Sequence, residues 1–256
     1  MFRTEPTGRL PEYEVFVFDL DDTLILERDY VRSGFKAVGR YLWLREGISG
    51  FAEQAWRLFL MGRRCEVFDE VLLSQGISPG RELVDELVAV YRTHRPRINL
   101  LPDARELIRR VKNSGRRIAL ISDGPAVSQR AKLRAVGLES CFDSIVLTGD
   151  YSDAFRKPGR PAFEWVRHFL NADPREMIYV ADNPLKDFTS PIKLGWGAVR
   201  VRRPGGIYSH IDGSAEVPEV TSLFELPLTR RGLTKPIVPA SAGVPVSSPL
   251  TAKLAY

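Results

Sequence analysis

Three carboxylates fall within four positions at Asp19-Leu20-Asp21-Asp22, directly after the apolar run Val15-Phe16-Val17-Phe18. A continuous apolar run reads as a strand buried in a parallel sheet, and ligands in such sheets gather beyond the carboxyl ends of the strands. The two-residue period of a strand sends Asp19 and Asp21 to one side and Leu20 to the other. Like charges packed this closely repel unless a cation sits among them. A divalent metal is the natural remedy. Mg²⁺, which takes one or two carboxylates plus substrate phosphate, points to phosphate chemistry. The plain alternative is a strand ending in solvated acids that cap the next element.

Three further strand ends carry polar residues. The run Arg117–Ile121 leads into Ser122-Asp123-Gly124, whose hydroxyl and backbone N–H groups stand at the start of a helix, a ready anion site. Beyond the strand Ser144–Leu147 comes Lys157-Pro158, a cation able to reach a phosphate oxygen. The strand Met177–Val180 ends in Asp182-Asn183-Pro184-Leu185-Lys186-Asp187, with two carboxylates five apart. Singly, Ser122 reads as a helix cap, Lys157 as a solvated loop lysine, and Asp182 or Asp187 as N-caps. Jointly they describe a nucleophile, an acid–base, a phosphate clamp and a metal cage on one rim.

The elements that must position these residues are legible from periodicity. A first strand runs Glu14 to Phe18. From Ile25 to Ile98 only helical spacing appears, over Tyr30–Leu44, Ala52–Met61, Cys65–Leu73 and Arg81–Tyr91. After Arg95-Pro96, strands alternate with helices at 102–115, 127–136, 161–170 and 185–194, and a fifth strand covers Ala198–Val201. This predicts an α/β fold: a doubly wound, mainly parallel, Rossmann-like sheet with an inserted all-helical domain. The expected divisions are a core domain of 1–24 and 99–226, a helical cap of 25–98, and a flexible Pro/Ser/Ala-rich basic tail of 227–256.

Composition excludes several classes. The formal charge of +5 belongs largely to that tail, where Arg230, Arg231, Lys235 and Lys253 meet no acid. Without those four, the 37 basic residues come within one of the 32 acidic ones. No nucleic-acid stripe remains. No apolar run approaches a membrane span and no signal segment opens the chain, so no membrane partner and a cytoplasmic location are expected. Cys65 and Cys141 lack metal-ligand spacing and read as reduced core thiols. His94, His168 and His210 read as structural or exposed. Oligomeric state, monomer or homodimer, is not legible.

From Val15 to Arg203 the chain resembles the haloacid dehalogenase superfamily of phosphohydrolases, in the subclass with a helical cap after the first motif. Phe18-Asp19-Leu20-Asp21-Asp22-Thr23-Leu24 is similar to the first motif, and Ile121-Ser122-Asp123-Gly124 with Gln129, Lys132-Leu133 and Gly137-Leu138 to the second. Lys157-Pro158 and Asp182…Asp187 correspond to the third and fourth. The resemblance implies that Asp19 attacks phosphorus to give an aspartyl-phosphate, and that Asp21 protonates the leaving oxygen and then deprotonates water. It implies Mg²⁺ held by the Asp19 carboxylate, the Asp21 backbone carbonyl and Asp182, with Asp187 orienting that shell. Ser122, the Asp123 amide, Gly124 and Lys157 would take the phosphoryl oxygens. Three positions depart from the family's pattern: Asp22 stands where many relatives have Gly, Asp123 where Asn is frequent, and Gly159-Arg160 where an acid usually follows the lysine motif.

Within the family, Asp21 favours phosphate transfer over dehalogenation, because dehalogenases lack that acid. A phosphonatase would need a Schiff-base lysine, and Lys36, the only lysine of the helical insertion, reads as solvated. The expected substrate is a small phosphorylated metabolite, with sugar phosphate and nucleoside monophosphate both open. Arg28, Tyr30, Arg32, Lys36, Arg63 and Arg64 are candidates for its leaving group. Trp43, Phe51, Trp56 and Phe59 read first as the helical domain's own core. A sugar-phosphate mutase and a catalytically silent binding or regulatory module remain the alternatives.

Overall fold

The computed structural model describes residues 13–226 and 228, so the N-terminal lead-in and nearly all of the expected tail lie outside the described residues. The strands are β1 (Val15–Phe18), β2 (Arg117–Ser122), β3 (Ser144–Leu147), β4 (Met177–Ala181), β5 (Gly197–Val201) and β6 (Glu219–Val220). The helices are α1 (Glu27–Glu46), α2 (Phe51–Leu60), α3 (Val67–Ser74), α4 (Arg81–Thr93), α5 (Pro102–Asn113), α6 (Ala126–Ala135), α7 (Pro161–Phe169) and α8 (Thr189–Lys193). All strand pairs are parallel, in the order β3-β2-β1-β4-β5-β6.

This is the doubly wound parallel sheet that the alternation of strands and helices predicts. The chain lays β2 and β3 on one side of β1, then crosses back to place β4 on the other. The gap between the carboxyl ends of β1 and β4 is therefore the topological switch point, where such sheets bind ligands. Phe18 stands level with both Leu120 and Val180. Asp19, Ser122 and Asp182 thus leave the sheet at one edge. The sixth strand was not foreseen; two residues, paired as Arg200–Glu219 and Val201–Val220, are too short to show a period.

Two compact units divide the described residues. One comprises 13–26, Leu100–Gly124 and 139–226; the other comprises Glu27–Asn99 and Pro125–Leu138. Helix α6 thus groups with the helical residues, whereas the sequence pattern had assigned it to the sheet. In the sheet unit, Val15, Val17, Ala119, Ile121, Met177 and Tyr179 form one apolar face with Phe163 and Val166 of α7. The helix expected over 185–194 shortens to α8, because Leu185 N–H donates to Asn183 Oδ1 at 3.0 Å and Asp187 N–H to the Asn183 carbonyl at 3.1 Å, folding the preceding residues into a tight turn.

In the helical unit, Phe35 packs 6.2 Å from Phe68 and 5.9 Å from Tyr91, and Phe51 5.6 Å from Phe68. Phe51 and Phe59 are core residues, as their helical spacing suggested; Trp43 is exposed instead. Tyr30 is buried, its hydroxyl 3.4 Å from the Tyr91 carbonyl, which removes it from the leaving-group candidates. Cys65 is exposed rather than core, and Cys141 is half-buried.

A buried ion pair closes the sheet unit. Asp103, in the first turn of α5, accepts from Arg203, from Ser222 Oγ at 2.8 Å and from Leu223 N–H at 2.8 Å. Arg203 also donates through Nη2 to the Thr23 carbonyl at 2.7 Å, fastening the turn that follows Asp19. Burial opposes the Asp103 charge, yet Arg203 and the Ser222 and Leu223 donors hold its pKa below the ordinary value. A lowered folded pKa means that this contribution is present above pH ~4, the ordinary carboxylate value, and is lost as pH falls through the folded pKa. Asp103→Ala is expected to lower the unfolding free energy at pH 7 by about 3–5 kcal/mol. Urea denaturation at pH 7 and at pH 3 checks this, the difference between wild type and variant shrinking at the lower pH.

Candidate active site

Lys157 is the centre of the polar cluster. Its side chain is fully buried, and Nζ lies 2.6 Å from Asp19 Oδ1, 2.6 Å from Asp187 Oδ1 and 3.1 Å from the Tyr179 hydroxyl. Burial opposes the ammonium charge, but Asp187 and Asp19 outweigh it and keep the pKa well above the lysine value. Tyr179 is pushed well above the phenol range by burial, so it stays a neutral partner.

Asp19 follows β1 directly. Its N–H donates to the Val180 carbonyl at 2.9 Å, tying it to β4, and Thr23 Oγ1 lies 3.5 Å from Oδ2. Asp182 follows β4, where Arg200 donates through Nε to its backbone carbonyl at 2.8 Å. That buried guanidinium also reaches Glu219 Oε1 at 2.6 Å and the Tyr208 carbonyl at 2.9 Å. Asp187 Oδ2 accepts from Asn183 N–H at 2.9 Å, closing the loop between the two acids.

Asp19, Asp182 and Asp187 are all buried, and one ligand oxygen from each lies within 4.8 Å of the others. The environment resists their full ionisation. Burial, countered by Lys157 and reinforced by Asp187, pushes Asp19 up to about 7. Burial, then Asp187 and Asp19, push Asp182 well above the carboxylate range. Asp187 Oδ1 has no hydrogen bond of good geometry, despite its ion-pair contact with Lys157. An all-oxygen, acid-rich, under-neutralised donor set suits a hard divalent cation. The fit is to the chemistry of the donors.

Ser122 is buried at the end of β2, and Gly124 is exposed with φ 123°, a backbone region that side chains rarely enter. Between them, Asp123 Oδ1 accepts from Thr148 Oγ1 at 2.9 Å and from Lys157 N–H at 3.2 Å, and Oδ2 takes Lys186 Nζ at 2.9 Å. Burial works against the Asp123 charge, but Lys157 and Lys186 hold its pKa below the ordinary value. Asp21 is half-buried and outside the three-acid cluster, and it stands opposite Ile25 in an isolated parallel bridge.

Two of the unusual positions have local physical reasons. Asp22 has φ 51°, a left-handed conformation that Gly and Asp tolerate, and its Oδ2 accepts from Ile207 N–H at 2.7 Å. Gly159 lies so close to the 154–156 turn that a Cβ would collide with the Ala154 carbonyl oxygen and sit 2.7 Å from that of Arg156. The sequence reading missed Tyr179, Thr148, Lys186, Arg200 and Arg203. Tyr179 sits in an apolar strand and gave no signal; a buried Arg within Ala198–Val201 was the one visible anomaly, since arginine is rarely buried unless paired.

A parallel α/β unit with buried acids at its switch point defines a class of hydrolytic enzymes rather than one member. The chain belongs to the haloacid dehalogenase-like hydrolase family, whose model matches residues 13–193. It is 25% identical over 227 residues to the (S)-2-haloacid dehalogenase 4A of Burkholderia cepacia, covering 86% of this chain and 93% of that protein. It is 31% identical over 163 residues to the phosphoserine phosphatase of Thermus thermophilus, covering 63% of each. Its fold is similar to that of CbbY from Rhodobacter sphaeroides, solved in complex with phosphate, with TM-score 0.61 at 20% identity over 86% of this chain and 99% of that one.

The close approach at Gly159 sets the position of the loop that carries Lys157. Gly159→Ala is expected to cost about 1–3 kcal/mol of stability through overpacking. Arg160→Ala, an exposed neighbour that pairs with Glu164 at 3.1 Å, is expected to stay within about 0.5 kcal/mol of wild type. Urea denaturation of both variants checks the contrast.

Proposed function

We propose that this chain is a Mg²⁺-dependent phosphomonoester hydrolase that acts on a small phosphorylated metabolite through an aspartyl-phosphate. The observation that carries the reading is the buried set of Asp19, Asp182 and Asp187 around Lys157, with a further acid, Asp21, two residues beyond Asp19.

Asp19 is the nucleophile: its carboxylate oxygen bonds to phosphorus as the bond from phosphorus to the leaving oxygen breaks. Asp21 gives that oxygen its proton, then takes one from water as the water attacks phosphorus and frees Asp19, releasing orthophosphate. Ser122, the backbone amides of Asp123 and Gly124, and Lys157 hold the phosphoryl oxygens. The residues that would hold Mg²⁺ are Asp19 and Asp182 with the Asp21 carbonyl, steadied by Asp187. When bound, the metal neutralises the acids and lets an anionic phosphate approach an anionic nucleophile.

The dehalogenase likeness supplies the competing reading, displacement of halide from carbon by Asp19. That reaction leaves Asp21 and the three-acid cluster without a task, whereas phosphoryl transfer employs both. A sugar phosphate and a nucleoside monophosphate fit the reading equally. The sheet unit carries this chemistry, and the helical unit of Glu27–Asn99 and Pro125–Leu138 forms its cap. The balanced charge of the body favours a cytoplasmic enzyme that uses neither nucleic acid nor membrane.

The test is phosphate release from sugar phosphates, nucleotides and an aryl phosphate, and halide release from 2-haloacids, each with and without Mg²⁺. Metal-dependent phosphate release is expected, with Asp19→Asn lowering kcat by at least ~10³-fold. Halide release without phosphate release would sink the proposal in favour of the dehalogenase; neither activity from folded protein would leave a binding module.

A further inference from the structure

Asp123 poses a physical problem for a phosphate site. It is flanked by Ser122 and Gly124 in the loop assigned to the phosphoryl oxygens, yet it carries a negative charge that would repel a phosphate dianion. A neutral amide oxygen would serve equally well as the acceptor for Thr148 Oγ1 and Lys157 N–H. What an amide would not do is pair with an ammonium. Lys186 Nζ sits 2.9 Å from Asp123 Oδ2, the side chains being 30% and 16% exposed. Lys157 is committed to different acids, Asp19 and Asp187. Lys186 is therefore the ammonium in direct side-chain contact with Asp123, and it lies next to Asp187 in the loop after β4.

We infer that Asp123 and Lys186 are a matched charge pair, in which Lys186 cancels the field of Asp123 at the phosphoryl site while Asp123 positions Lys157 through its backbone N–H. Lys186 is then a positioning and field-setting residue for phosphate affinity. The pair spans two strands: Asp123 follows β2, Lys186 follows β4, and Lys157 reaches the same carboxylate from a third segment. The charges are complementary, so their effects on phosphate affinity oppose each other. Removing the lysine alone leaves an uncompensated anion beside the substrate, and removing both charges restores neutrality. A purely structural salt bridge predicts instead that the single variants shift the unfolding midpoint while KM and the phosphate Kd stay where they are. This inference rests on the phosphohydrolase reading.

The experiment is a double-mutant cycle of Lys186→Met, Asp123→Asn and the pair, with Lys186→Arg as the charge-keeping control, in protein supplied with Mg²⁺. It reads kcat and KM on the best phosphate ester and, separately, the Kd of inorganic phosphate by calorimetry, with unfolding midpoints to establish folding. The expected result for Lys186→Met is a rise of roughly tenfold in KM and in phosphate Kd, with kcat within about threefold. Asp123→Asn, which keeps the backbone amide and removes the anion, is expected to lower the phosphate Kd by roughly threefold or more, Lys186→Arg to stay near wild type, and the double variant to return to within about threefold of wild type. Additive losses in the double variant, or an unchanged KM and phosphate Kd in Lys186→Met, would overturn the pairing while leaving the phosphatase reading intact. A wild type that neither hydrolyses any phosphate ester nor binds phosphate would overturn both.

Discussion

The site depends on one buried ammonium. Removing Lys157 from water costs several kcal/mol, a penalty repaid only where carboxylates stand at contact distance with good geometry. Asp19 and Asp187, each 2.6 Å from Nζ, supply that. The constraint runs both ways, since Asp19 and Asp187 are themselves buried and would be driven neutral without the lysine. Three chain segments far apart in sequence must meet within one hydrogen-bond length for any of the charges to persist. The parallel register meets that demand, holding Phe18 level with Val180 so that β1 and β4 release their acids side by side.

Backbone positions at this edge are held by arginines rather than by more acids. Arg200 donates to the carbonyl of Asp182 and Arg203 to that of Thr23, so each guanidinium fixes a loop. Each is balanced by its own acid: Arg200 by Glu219 at 2.6 Å, Arg203 by Asp103. The planar, forked guanidinium suits this work, because it satisfies several oxygens at fixed angles where a lysine would offer a point charge. The short sixth strand gains its meaning here, since Glu219 on it is the counter-ion of Arg200.

The acids of the site were legible because chemistry forces them into sequence-local patterns. Asp19 and Asp21 must follow a buried strand, and Asp182 and Asp187 share one loop. The sheet was legible for a similar reason, as buried parallel strands are continuous apolar runs. What escaped notice depends on tertiary contact. Tyr179 looks like any strand residue until Lys157 arrives at its hydroxyl. Lys186 looks solvated until the end of β2 is brought beside it. The pairing of Asp103 with Arg203 bridges a hundred residues, and no local period records it. The grouping of α6 with the other helices also lay beyond periodicity, which reports where a helix is and not which core it joins.

The charge balance bears on what kind of reaction the cluster serves. Asp19, Asp182 and Asp187 cluster beside one buried ammonium, and burial together with their mutual repulsion, against the pull of Lys157, leaves Asp19 at about 7 and Asp182 well above the carboxylate range. A site built to displace a halide from carbon gains nothing from such an excess of buried acid, and would be more stable with fewer carboxylates. A site built to receive a phosphate dianion has the opposite need. It must hold a divalent cation firmly enough to stay charged, yet keep the nucleophile ionised once the substrate's own charge arrives. Three carboxylates with one lysine are neutralised by protons or by a further cation, and a cation is the form of neutralisation that leaves the nucleophile ionised. The Asp123–Lys186 pair follows the same logic one layer out, where the added acid comes with its own ammonium and the field at the centre is left undisturbed.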